Sequence, residues 1–187
     1  MEQKKNKLLS DMIQNDTDKK MVQLVEAATD LSCGDICTLL EVAHSLPFVG
    51  NLEGGDTYIN VLTREKESMV IAQYRHPNYD LYKRSIIGEI ERREDESAVY
   101  RALEEGISGR GLIGIIDEGR TVVRHTVSPI LNSEKKVIGA LTYEYPNAGA
   151  DTECIRIINN QEGKQDPFNR QLGKASDYLQ DAILLYD

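Results

Sequence analysis

The chain has 187 residues, 40% hydrophobic and 28% charged, and its 22 Lys plus Arg against 31 Asp plus Glu give a formal net charge of −9. That length predicts one domain with an appendage, large enough to bury roughly 70% of the surface its unfolded chain exposes. An acidic chain is repelled by phosphate backbones, no stretch approaches the ~20 apolar residues of a membrane span, and three cysteines make no disulfide framework.

The expectation is therefore a cytoplasmic protein that binds no nucleic acid directly and does not enter a membrane. The N-terminus MEQKKNKLLSDMIQND has basic residues but no apolar run behind them, so it does not read as a signal peptide. The length leaves no room for a sensor together with a full-size catalytic domain.

Residues 1–18 read as a polar, partly helical leader. From Lys19 to Thr29, Met21, Val22, Leu24, Val25 and Ala28 fit a short helix. Ser32, three residues before Asp35, is an acidic variant of the capping box. Ile36, Leu39, Leu40, Ala43 and Leu46 then recur at helical spacing, and Pro47 is expected to end that helix. NLEGGD (51–56) is turn chemistry. TYINVL (57–62) and MVIAQY (69–74) read as two strands of a hairpin. HPNYDLYK (76–83) reads as a loop. Asp95–Glu105 reads as a helix with Val99, Ala102 and Leu103 inward and Gly106 as its cap. GISGRGLIG (106–114) lacks the lysine and the context of a phosphate loop and reads as a flexible loop. TVVRHTVSPI (121–130) and VIGALTYEY (137–145) are two further strands.

Residues 149–167 are poorly periodic and read as a linker. In 168–187, Leu172, Ala175, Leu179, Ala182, Ile183 and Tyr186 lie close to the 3.5-residue repeat of a coiled-coil seam. Hairpins with helices before, between and after predict an α+β fold: an antiparallel sheet with helices on one face, its other face open to small ligands.

No nucleophile elbow, paired-histidine metal helix or catalytic constellation is present, so no catalytic residue and no metal ligand is assigned. Cys33 and Cys37, four apart at a helix start, read as structural thiols, and with Cys154 they match no standard zinc spacing. The candidate ligand-binding residues are polar groups on the strands and the central loop. His125 alternates with Val123 and Val127 and so points to their face. Tyr58 and Asn60 share a face of the first strand, where mid-strand Asn is disfavoured by propensity. Gln73, Arg75 and Tyr82 offer amide, guanidinium and hydroxyl hydrogen bonds beside the loop. A pocket lined by Arg75, Arg84 or Arg124 would favour an anion, and one lined by Glu144 or Asp80 an amine.

The ordered segments LSCGDI, SLPFVGNLEGGDTYINV, MVIAQYRHP, LYKRSIIGEIERREDESAVYRALEEG, VVRHTVSPI and KKVIGALTYEY span Leu31 to Tyr145. Together they resemble the N-terminal GAF-like sensor domain of cytoplasmic sensor histidine kinases, including ethanolamine-responsive kinases of two-component systems. Within it, Glu96 followed by Ala98-Val99 and Gly106 resembles the family's helix, and Pro129-Ile130 before Gly139 its closing hairpin.

The resemblance implies a GAF/PAS-like domain at 19–148. After the linker, 168–187 would be a signalling helix and the start of a following PAS-like domain. It implies a small-molecule ligand, a homodimer through the C-terminal helix, and a downstream kinase domain acting on a response regulator. No cofactor is expected in this chain; ATP and Mg belong to the kinase core, whose phospho-accepting histidine and ATP-binding boxes have no counterpart here. Two other readings stay open. One is a GAF-type thiol-dependent enzyme. The other is the regulatory domain of a transcription factor or a structural dimerisation module.

Overall fold

Among the described residues two long helices precede the sheet, α1 (Asp16–Ala28) and α2 (Cys33–Glu53), and in each a polar side chain sets the start. In this computed structural model the Asn15 side chain accepts the Asp18 N–H at 2.9 Å ahead of α1. The Ser32 hydroxyl accepts the Asp35 N–H at 3.3 Å, while the Asp35 carboxylate takes the Ser32 N–H at 3.0 Å. This reciprocal box satisfies two otherwise orphaned donors. The structure describes residues 9–78, 81–82, 84–116 and 121–147. The expectations placed on 149–167 and 168–187, and those for Asp80 and Cys154, lie outside these residues. The leader contributes to the fold: residues 9–12 are helical and Leu9 is buried among side chains of α1 and α2.

Pro47 does not end α2, which corrects the expectation above. The helix runs on to Glu53 and is closed by Gly54 in the left-handed conformation, φ 75°. An interior proline costs about 3 kcal/mol relative to alanine, and packing of the last two turns offsets it. Leu46 is buried. Gly50 lets the Tyr74 ring come so close that a Cβ there would lie 2.5 Å from it. Three side chains tie the segment to the sheet. Thr57 donates to the Leu46 carbonyl at 3.1 Å, Tyr74 to Asn51 Oδ1 at 2.9 Å and Tyr143 to the Glu53 carbonyl at 2.6 Å.

The strands are β1 (Asp56–Leu62), β2 (Ser68–Tyr74), β3 (Ile90–Glu91), β4 (Gly109–Ile116), β5 (Thr121–Leu131) and β6 (Val137–Pro146). They form one antiparallel sheet in the order β3-β2-β1-β6-β5-β4. The glycine-rich segment is corrected from loop to strand: from Gly109 onward it is β4, an edge strand paired with β5. Its glycines weaken strand propensity, but the run from Leu112 to Ile116 pairs with Thr121–His125, and a register shift between Gly109 and Leu112 absorbs Gly111 at φ 61°. The helix expected at 95–105 is α3 (Ser97–Glu105), capped by Gly106 at φ 71°.

Strand alternation divides the core. Ile59, Val61 and Ile71 face α1 and α2, meeting Val22, Val25, Leu39 and Leu40. Val127 and Ala140 face the other way, against Val99, Ala102 and Leu103 of α3. On that same side Tyr58 and Val70 meet Ile86 and Tyr82 from the segment after β2. The two long helices share one face as expected, but the short α3 packs on the other, which corrects the expectation that all helices lie on one face and leave the other open.

The β1–β2 turn is tied to the end of α1. Arg64 donates its backbone N–H to the Ala28 carbonyl at 2.9 Å. Its guanidinium donates to the carbonyls of Glu26, Ala27 and Thr29 and to the Asp30 carboxylate. Four side-chain hydrogen bonds at a helix C-terminus supply partners to orphaned carbonyls and complement the dipole. Among the described residues no helix is long and apolar enough to cross a membrane.

Because only packing tolerates Pro47, Pro47→Ala should stabilise the fold by about 1–3 kcal/mol, read as a higher urea midpoint. An unchanged or lower midpoint would show that the proline is accommodated without strain.

Candidate functional site

The second face of the sheet is not wholly apolar. Period-two alternation brings Tyr58 and Asn60 of β1, Thr142 and Glu144 of β6, and His125 of β5 to it, with Tyr58 opposite Thr142 and His125 opposite Glu144. All five are buried. They lie between the apolar cluster under α3 and the one under Ile86.

Glu144 is at the centre. The Tyr58 hydroxyl donates to its Oε1 at 2.9 Å and the Tyr82 hydroxyl to its Oε2 at 2.6 Å. The two rings meet edge to face, 6.3 Å between centroids. His125 Nδ1 stands 3.7 Å from Glu144 Oε1 and 4.0 Å from Glu96 Oε2, both beyond hydrogen-bond length. Glu96 is the N-cap residue of α3, yet its side chain makes no capping bond. Its carboxyl is turned into the interior instead.

A second carboxylate group adjoins. Asn60 Nδ2 donates to Glu91 Oε2 at 2.6 Å and to Ser68 Oγ at 3.0 Å, and the Ser68 hydroxyl donates to the same Glu91 oxygen at 3.2 Å. The Tyr100 hydroxyl accepts the Ser68 N–H at 2.9 Å and donates to the Glu91 carbonyl at 3.0 Å.

Four acids are thus gathered, since Asp56 of β1 stands opposite Glu144 and is pushed up by burial and by that charge; among the described residues no Lys or Arg forms an ion pair with Glu91, Glu96 or Glu144. Arg93, on the segment between Glu91 and Glu96, lies 4.2 Å over the Tyr100 ring and pairs outward with Glu104. Burial, then the charges of Glu91, Glu144 and Asp95, push the Glu96 carboxyl up to about 9. Burial and Glu144 push Glu91 up to about 7, against the pull of its bonds from Ser68 and Asn60. Burial and Glu144 also hold the Tyr58 and Tyr82 hydroxyls far above their ordinary range, so both stay protonated donors. Glu96 Oε2, His125 Nδ1, Asn60 Oδ1, Thr142 Oγ1 and Gln73 Nε2 are buried without a hydrogen-bond partner. Such atoms are rare in folded interiors and costly there.

Of the residues singled out from the sequence, Tyr58, Tyr82 and His125 converge on Glu144, and Asn60 adjoins them through Glu91. Gln73 lies opposite Tyr58 on β2 and its Oε1 accepts the Ile86 N–H at 3.1 Å. Arg75 is exposed past the end of β2, where its charge acts on Asp56. Arg84 pairs with Glu89 and Arg124 with Asn147, so neither faces Glu144. The acids Glu91 and Glu96 are absent from the sequence-based site. Glu144 carried a readable signal: it continues the alternation of Ala140 and Thr142 toward the face that His125 shares.

The thiols are elsewhere. Cys37 packs in the core beneath α1 and α2, on the opposite side of the sheet, and burial pushes its thiol up. Among the described residues no group of three or more His, Cys, Asp or Glu side chains is arranged to hold a metal ion.

A family model described as histidine kinase PdtaS, GAF domain, matches residues 21–158, well over half of the chain. The structure is similar to the sensor region of a sensor histidine kinase, with TM-score 0.53 and 16% identity, over 70% of this chain and 43% of that chain. The match therefore spans less than half of that relative's length. A phycocyanobilin-bound GAF domain from a cyanobacterial phytochrome matches at TM-score 0.39 and 13% identity, over 80% of this chain and 92% of that one. A light-oxygen-voltage domain studied with a flavin analogue matches at TM-score 0.42 and 12% identity, over 65% and 96%. No curated protein sequence matches.

Two outcomes follow from the geometry. Tyr82→Phe removes a donor to a buried carboxylate and should cost about 1.5–3 kcal/mol, measured by urea denaturation. Glu91 and Glu96 bind protons more tightly folded than unfolded. Their stabilising effect is complete below about pH 4 and is lost as pH rises through about 7 and then about 9. The urea midpoint should fall from pH 5 to pH 9, and Glu96→Gln should flatten the upper part of that fall. A flat wild-type profile would mean that both acids are ionised at pH 7.

Proposed function

The chain belongs to the family of histidine kinase PdtaS GAF domains, and from that membership we propose that it is the ligand-sensing regulatory domain of a two-component sensor histidine kinase. A small molecule binds on the sheet face that carries Glu144. The signal passes through a dimeric helix in 168–187 to a kinase core outside this chain, which uses ATP and Mg to phosphorylate itself and then a response regulator. The domain acts in the cytoplasm, performs no catalysis of its own and contacts neither nucleic acid nor membrane.

One observation carries this reading: a group of buried polar side chains on one face of the sheet, several of whose atoms are left unpartnered. A fold gains nothing by burying unpaired acceptors, and functional sites are where such costs are retained. The route outward has support in the connectivity. Glu144 lies on β6, and the chain running on from β6 leads to the apolar seam of 168–187. A ligand signals only if it binds two states of the protein unequally. Groups shared between β1, β5, β6, α3 and the segment after β2 offer such a difference, because a ligand there alters how five elements meet. Of the described thiols, Cys37 lies on the opposite side of the sheet from the polar group, which does not favour the thiol-enzyme reading.

The test is autophosphorylation of the full-length kinase that contains this chain. Glu144→Gln should change the basal rate at least several-fold while circular dichroism stays native, and Cys33→Ala should leave the rate unchanged. A folded Glu144→Gln protein with the wild-type rate would overturn the assignment of this face as the sensing site.

A further inference from the structure

We infer that Glu96 is a two-position latch: neutral, its carboxyl lies inward over His125 and Glu144, and ionised, it swings out to serve the N-terminus of α3. This goes beyond the sensing reading and does not depend on it.

The first argument is place. Glu96 is the N-cap residue of α3, the position whose side chain ordinarily accepts an N–H of the first helical turn. Its backbone does so already, the carbonyl accepting the Tyr100 N–H at 3.1 Å. Its side chain makes no capping bond, and the first turn of this nine-residue helix carries no acid. The positive end of the helix thus lacks the negative charge that would stabilise it. An acid able to supply that charge stands at the right position and is turned away.

The second argument is what the carboxyl meets inside. Glu96 Oε2 is buried without a hydrogen-bond partner, and His125 Nδ1, itself unpartnered, is 4.0 Å away, too far to bond. The groups that face it are Glu91 from β3, Glu144 from β6, His125 from β5, Tyr58 from β1 and Tyr82 from the segment after β2, with Asp95 beside it in the chain. Arg93 is committed to the Tyr100 ring and to Glu104. An ionised carboxylate in this position has neither a donor for that oxygen nor a paired cation, so only the neutral form suits it.

The third argument is the way out. The Glu96 side chain is 17% exposed, against 7% for His125 and 1% for Glu144. It stands at the rim of the polar group, so rotation about its own side-chain bonds carries the carboxyl to water. Glu144 has no such exit, because two tyrosines hold both of its oxygens.

Held inside, the carboxyl is pushed up to about 9, by burial first and then by Glu91, Glu144 and Asp95; its ordinary value is 4.5. With both positions open, ionisation and swing occur together, at a midpoint between those two values. Low pH keeps the latch inward. As pH rises past the midpoint, the ratio of outward to inward forms grows up to about tenfold per pH unit. Outward, the carboxylate uncovers His125 and Glu144 to solvent, so one proton decides whether the polar group is closed or open.

The experiment is carbon-detected NMR of the full chain from pH 5 to pH 10, following the Glu96 carboxyl and the backbone carbons of Ser97, Ala98 and Val99. The carboxyl should titrate with a midpoint between 4.5 and about 9, and the three backbone positions should shift with that same midpoint. Glu96→Gln, which mimics the neutral form, should leave them still at every pH. Glu96→Asp, whose shorter side chain caps well, should show the wild type's high-pH shifts already at pH 5. Ser97–Val99 that stay still while the carboxyl titrates overturn the inference, because the acid then ionises in place. A midpoint outside that range overturns it too, as does a Glu96→Gln protein that shifts like the wild type or a Glu96→Asp protein that keeps the low-pH shifts. Should either variant fail to fold, the wild-type titration decides alone.

Discussion

A carboxylate in an interior without a paired cation is the constraint on which one side of this protein depends. Removing an ionised group from water costs several kcal/mol unless hydrogen bonds replace the lost solvent. For Glu144 those bonds come from two tyrosines far apart in the chain. Tyr58 is delivered by the register of β1 against β6. Tyr82 is delivered by the return of the segment after β2 across the sheet, where Ile86 packs on Val70. A slip of one residue in β1 would turn Tyr58 to the opposite face and leave the acid half-satisfied. The position of that segment and the register of the central strands are therefore set by the same side chain.

The two faces of the sheet follow different rules. Beneath α1 and α2 the contacts are apolar and complete, and they are strong enough to carry a proline through the middle of a helix. On the other face, apolar contacts under α3 and under Ile86 flank a centre that is polar and incompletely paired. The first face supplies the stability that the second gives up. A domain arranged in this way has one side held by complete apolar packing and one side whose buried polar atoms are incompletely paired.

Much of this was legible in the sequence because it rests on local rules. The Ser32–Asp35 box, the four long strands and the Gly106 cap each depend on residues within a few positions of one another. His125, Tyr58 and Asn60 were readable as sharing a face because alternation alone decides that. Pro47 and the glycine-rich β4 were misread for one reason: propensity pointed one way and tertiary partners pointed the other. The Tyr74 ring over Gly50 and the ladder to β5 are not visible from the segments themselves. Glu96 was legible only as the start of a helix. At an N-cap an acid ordinarily serves the backbone, and only α3's placement over the sheet shows its carboxyl turned inward. Arg75 looked suitable by position, but the chain leaves the sheet at the end of β2 and carries it outward.

The clasp at Arg64 has a mechanical meaning. One guanidinium grips three carbonyls and a carboxylate at the end of α1, so the tip of the β1–β2 hairpin and that helix are handcuffed together. Tyr58 and Asn60 ride on the same hairpin, with their side chains on the far side of the sheet. The turn end of β1 therefore shares its anchorage with the end of α1, and the arginine is the pin that joins the two layers at that corner.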